Sequence, residues 1–176
     1  MDYVGLPEVA HTLKACYNSQ KHFYVTSDFQ SFAEIKNMTN QIMKKFKKID
    51  IILHIAGGGL GVKNYLPTTS DYMKVFNLNL FSIFEINRIL VPFMKKEKSG
   101  TIFHVGSIAS NESSGSISYN VSKSALSSYV RTLSKSLAKY NICVTGICPG
   151  GFEYKDNAMN RLKKRNMANY NNFINK

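Results

Sequence analysis

Tyr119 and Lys123 stand four residues apart in the run Tyr119-Asn120-Val121-Ser122-Lys123. The run opens a stretch of helical periodicity, where positions i and i+4 share one face. A phenol and an ammonium are thereby set side by side. An isolated tyrosine titrates near pH ~10, and a fixed positive charge beside a phenol favours the phenolate. Such a pair can exchange a proton near neutral pH, the step that interconversion of a carbonyl and an alcohol requires. Taken alone, the spacing is weak, because a half-buried Tyr beside a solvated Lys has the same pattern. The elements around the pair decide between the two.

Those elements alternate. Residues 6–18 read as an amphipathic helix, Phe23–Thr26 as a short strand ending at Ser27-Asp28, and Ser31 with Glu34 as a capping box opening a helix to about Lys47. Ile49–Ile55 is a compact apolar strand of the kind buried on both faces of a parallel sheet, followed by the loop Ala56–Gly61. Thr69 or Ser70 is expected to cap a long helix over residues 71–96, apolar on most sides. Thr101–Val105 is the next strand, a Ser-rich loop spans Ser107–Ser118, and a helix covers Tyr119–Lys139. Ile142–Ile147 is the last strand, ending at Pro149-Gly150-Gly151. Strands alternating with helices predict an α/β doubly wound parallel sheet, and ligands of such sheets sit at the carboxyl ends of the strands. That rule singles out Asp28, Gly57, Ser107 and Pro149, each placed directly after an expected strand.

The chain has 176 residues and is 44% hydrophobic, enough for one domain with a core. It contains no apolar run long enough for a membrane span, and Met1–Gly5 shows no basic-then-apolar leader pattern. Cys16, Cys143 and Cys148 are odd in number and lack metal spacing. His11, His22, His54 and His104 form no ligand motif, so no metal site is expected. A cytoplasmic protein is the expectation. The net charge of +12 raises the question of nucleic acid. The basic residues are scattered, however, with short runs at 44–48, 95–98 and 161–165 near helix ends, where lysines suit the helix dipole. No nucleic-acid partner is expected.

Together, Asp28, the run Ile49–Gly57, Asn79 within a long helix, Ser107, Tyr119-x-x-x-Lys123 and Pro149-Gly150 resemble the short-chain dehydrogenase/reductase family over nearly the whole chain to about Phe152. The resemblance implies a Rossmann-like fold and hydride transfer between NAD or NADP and a carbonyl or alcohol carbon. It implies Tyr119 as general acid/base and Lys123 as the cation that favours its phenolate and hydrogen-bonds the nicotinamide ribose. Ser107 would hold the substrate carbonyl, and Asn79 would position a water linking Lys123 to solvent. Asp28 and Phe29 would lie at the adenine, Ala56 and Gly57 along the cofactor, and Pro149, Gly150 and Phe152 against the nicotinamide. A homodimer or homotetramer through helices 71–96 and 119–139 is the implied assembly.

Each assignment has a plainer alternative. Asn79 could be a hydrogen-bonded polar residue inside its helix, Asp28 a turn residue before one, and Gly57–Gly61 only a flexible loop that does not spell GxGxxG. The chain also departs from the family pattern. No strand with a Gly-rich turn precedes residue 23, and no final strand follows the tail 154–176, which is basic and Asn-rich and resembles part of a substrate lid. The expectation is a family domain over 1–153 lacking its first strands, with a gap beside Ile49–Ile55, weak dinucleotide binding and marginal stability. A non-catalytic remnant retaining the subunit-pairing helices is the alternative. His54-Ile55 stands where the family usually has two asparagines, and Tyr154 where a Thr usually contacts the nicotinamide amide.

Overall fold

The computed structural model describes residues 23–152 and 158–174 of the chain. The helix expected over 6–18, and Tyr154, lie outside the described residues. Strands β1 (Ile51–His54), β2 (Gly100–Val105) and β3 (Ile142–Ile147) form one parallel sheet in the order β1-β2-β3. The crossovers are helical. Helix α1 (Phe32–Lys45) precedes β1, and α2 (Thr69–Phe76), a wider turn at Asn77–Phe81 and α3 (Ser82–Glu97) form one long rod between β1 and β2. Helix α4 (Ile117–Leu137) joins β2 to β3, while α5 (Ala158–Arg165) and α6 (Met167–Ile174) occupy the tail.

Period-2 patterning sets the core. Ile52, Ile102, Ile142 and Val144 point to one face and are buried with Ile35 of α1, Leu90 and Met94 of α3, and Leu137 of α4. The opposite face is open among the described residues. Ile51, Leu53 and Ile55 are 61%, 59% and 65% exposed, against the expectation of a strand buried on both faces. An apolar cleft of about 350 Å³ runs along this outer edge of β1, lined by Phe29, Met38, Ile42 and the β1 side chains.

The structure corrects several boundaries. Phe23–Thr26 is not a strand, because a strand needs a neighbour for its backbone groups and among the described residues β1 pairs only with β2. Phe23 instead packs edge-on against Phe46, 6.2 Å between ring centres. Asp28 therefore follows a loop rather than a strand. The residue capping the long rod is Thr68, not Thr69 or Ser70. Its hydroxyl accepts from the Asp71 amide at 3.2 Å and Asp71 accepts from the Thr68 amide at 3.1 Å. Only Thr68 has an acidic residue three positions on, which the reciprocal cap demands. The Ser31 cap forms one half of its box: Ser31 Oγ accepts from Glu34 N, but Glu34 reaches the Asp28 amide, 2.7 Å away, instead of Ser31. Helix α4 begins at Ile117, two residues before Tyr119.

Candidate functional site

Tyr119 lies in the first turn of α4 and Lys123 one turn on. The Lys123 ammonium is 5.6 Å from the centre of the Tyr119 ring, so the four-residue spacing does place the two groups on one face. Lys123 is only 3% exposed and donates to the Val105 carbonyl at the end of β2, 3.0 Å away. Burial pushes its pKa down to about 8, partly opposed by the neighbouring Cys148. A lysine in that range still carries its charge at neutral pH but loses it under mild alkali.

Asn79 is fully buried inside the wide turn Asn77–Phe81. Its amide donates to Val75 O and Gly58 O, both at 2.8 Å, and its Oδ1 accepts from Gly58 N at 3.0 Å. An amide inserted against the carbonyl four residues back disturbs the regular ladder, which accounts for the local widening. The same three bonds clamp the loop after β1 to the rod. Gly58 adopts φ +150°, a conformation that favours glycine. At Gly57 the demand is steric: a Cβ would sit 2.9 Å from Asn79 Oδ1 and 3.3 Å from Lys123 Nζ. Gly57, Asn79 and Lys123 therefore meet. The next glycine, Gly59, faces Ser116 and the Tyr119 Cβ.

The ends of β2 and β3 stay joined beyond the strands, through Gly106 N to Ile147 O at 2.7 Å and Ile108 N to Pro149 O at 3.1 Å. This pairing holds Pro149 against the turn that begins at Ser107. Ser107 is extended, and its Oγ accepts from the Ala109 amide at 3.1 Å, capping a short turn over Ile108–Ser110. Gly150 faces Ile108, while Phe152 is 63% exposed beyond the strand end. Ala56 is exposed and lines the apolar cleft beside β1.

Asp28 and Phe29 belong to a different neighbourhood. Asp28 Oδ1 accepts from Gln30 N at 2.8 Å, and Gln30 Nε2 donates to Lys74 O, so the turn is fastened to α1 and α2. Phe29 packs on the main core. No contact among the described residues ties these two to the Lys123 group. Sequence reasoning missed Cys148, a neighbour of Lys123, and Gly58, the backbone partner of Asn79. It also passed over His54 and His104, which occupy inward positions of β1 and β2. Their period-2 placement in apolar strands was the available signal.

A parallel α/β sheet with helical crossovers, carrying a Tyr-Lys pair, a buried Asn and a Ser beyond a strand end, defines a Rossmann-like protein. The short chain dehydrogenase profile matches residues 4–166. The chain belongs to the short-chain dehydrogenase/reductase family. It is 34% identical over 129 residues to 7alpha-hydroxysteroid dehydrogenase of Escherichia coli (strain K12), covering 73% of this chain and 50% of that one. It is 29% identical over 121 residues to a 3-oxoacyl-(acyl-carrier-protein) reductase of Thermotoga maritima, covering 68% and 49%. A solved 7 alpha-hydroxysteroid dehydrogenase complexed with NADH and 7-oxo glycochenodeoxycholic acid superposes with a TM-score of 0.68 at 33% identity, covering 73% of this chain and 50% of that chain. The chain thus spans about half the length of the relatives it matches. No described helix is long and apolar enough to cross a membrane.

Proposed function

We propose that the chain carries the acid–base half of an NAD- or NADP-dependent interconversion of a carbonyl and an alcohol. The observation that carries this reading is the Lys123 ammonium held 5.6 Å from the Tyr119 ring at the ends of β2 and β3. In this reading the Tyr119 hydroxyl gives a proton to the forming alkoxide, or takes one from the alcohol. The adjacent ammonium stabilises the phenolate left behind. Ser107 turns its hydroxyl from the Ala109 amide toward the substrate oxygen. Asn79 holds the Gly58 backbone and fixes the floor beneath Lys123.

The dinucleotide would supply or accept the hydride when bound. Its nicotinamide end fits the residues present. The bare Gly57 backbone lies against Asn79 and Lys123, Lys123 offers an ammonium, and Pro149 is held by its backbone to the turn after β2. We assign Tyr119, Lys123, Ala56, Gly57, Pro149, Gly150 and Phe152 to that end, and Asp28 with Phe29 to the adenine end.

We place subunit pairing on the rod 69–97 and on α4, whose outer surfaces expose Met73, Phe93, Ile117 and Val121. A second reading, a non-catalytic domain that pairs through these helices, is favoured by the open apolar face around Ile51, Leu53 and Ile55. Calorimetric titration with NADH and NADPH, followed by carbonyl-dependent oxidation, separates the two. The enzymatic reading expects turnover that Tyr119→Phe abolishes, whereas the second expects a dimer with no turnover. Micromolar dinucleotide affinity would contradict the expectation of weak binding.

A further inference from the structure

Below Lys123, four side chains from four elements close a circuit in the core. The rings of His54 (β1) and His104 (β2) are register partners and stack 4.7 Å apart at 17°. His54 Nε2 donates to Asn87 Oδ1 in α3 at 2.8 Å, and Asn87 Nδ2 donates to the Tyr129 hydroxyl in α4 at 3.1 Å. The Tyr129 ring returns edge-on to His104 at 6.1 Å. His54, Asn87 and His104 are all buried, and among the described residues neither ring nitrogen of His104 has a hydrogen-bond partner. Burying a polar group without a partner is costly, and burying a charge without one costs far more.

The charged surroundings are one-sided. Lys123 repels a proton on His104, and so does His54. Arg131 of α4 lines the same cleft as His104, together with Cys148 beyond β3. From α3 comes only the neutral Asn87, and from α4 also the phenol of Tyr129, which burial holds above its usual range. Among the described residues no carboxylate lines that cleft or contributes to the His104 environment.

We propose that the stacked His54–His104 pair is an acid-sensitive latch: neutral rings keep Tyr129 seated, and through it the part of α4 that carries Tyr119 and Lys123, beside β2 and β3, and protonation loosens that seat before the rest of the core unfolds. Burial, His54 and Lys123 push His104 down to about 3, and burial also lowers His54. A ring released to water returns to about 6.5. The closed state therefore holds its full advantage above pH ~6.5 and loses it as pH falls from there toward about 3. For one ring, the open fraction rises about 25-fold between pH ~7 and ~5. The latch rests on where Tyr119 and Lys123 sit, not on hydride transfer, and none of its tests uses a dinucleotide.

Hydrogen exchange on the full chain, corrected for intrinsic rates, reads α4 amides against α1 amides at both pH values. The expected result is an opening constant for α4 that rises about 25-fold or more while α1 is unchanged. The double variant His54→Gln, His104→Leu should lose that pH dependence. Equal rises in α1 and α4 would mean global acid unfolding and overturn the proposal, as would an α4 opening constant indifferent to pH. A variant-free arm follows the imidazole resonances of the folded chain by NMR. Ring 104 still neutral at pH ~5 supports the latch, and its titration near pH ~6.5 overturns it.

Discussion

Gly57→Ala is the sharpest probe of how the site is built. A Cβ at that position would lie 2.9 Å from Asn79 Oδ1 and 3.3 Å from Lys123 Nζ. Neither neighbour is the loose end of a surface side chain. Asn79 is fully buried and fixed by three hydrogen bonds, and Lys123 is anchored to Val105 O at 3.0 Å. Overpacking of this kind costs about 1–3 kcal/mol. Pulling Asn79 off the Gly58 amide would add about 1 kcal/mol. We therefore expect a loss of about 2–3 kcal/mol in urea unfolding at unchanged m-value, or a fall in Tm of roughly 5–10 °C. Gly150→Ala is the control, because a Cβ there meets only Ile108 Cδ1, at 3.8 Å. It should stay within about 0.5 kcal/mol of the parent. A Gly57→Ala variant as stable as Gly150→Ala would refute the close approach of Gly57, Asn79 and Lys123.

Other consequences are separable. Because burial lowers Lys123 to about 8 from its ordinary 10.5, the unfolded chain binds more protons between those values. Stability should therefore rise with pH across that window, by about 3 kcal/mol relative to Lys123→Met, and matching pH profiles for the two chains would count against the buried ammonium. Ile102→Ala empties the centre of the buried face, where Ile102 is 0% exposed, and should cost about 2–5 kcal/mol by urea unfolding. Thr68→Ala removes the cap that starts the long rod and should cost about 1 kcal/mol, whereas Ser70→Ala should be nearly silent.

The rim was legible in the sequence because its chemistry depends on local spacing. Tyr119 and Lys123 are one helical turn apart, and Ser107 and Pro149 each end an apolar strand, so periodicity alone places them at one end of the sheet. Asn79 was legible as a buried polar residue in an apolar helix, but its partners were not. Val75 O is four residues back, whereas Gly58 is twenty-one residues away across a loop. The strand expected at Phe23–Thr26 failed for a similar reason. Its residue types suit a strand, but a strand exists only with a neighbour, and composition does not reveal the neighbour. The His54–His104 stack also depends on register between strands fifty residues apart. Sequence reading had weighed both histidines for metal spacing and His54 as a departure from the family pattern, but not as a pair.

The central claim is that Tyr119, one helical turn from Lys123, moves the proton when a carbonyl becomes an alcohol. The most direct measurement follows the loss of reduced dinucleotide absorbance, at saturating NADH or NADPH and with a panel of ketones, for the parent chain and Tyr119→Phe. We predict ketone-dependent oxidation by the parent and its loss in Tyr119→Phe, with the thermal midpoint of the variant unchanged. Equal rates in the two chains, or oxidation indifferent to the ketone, would contradict the assignment.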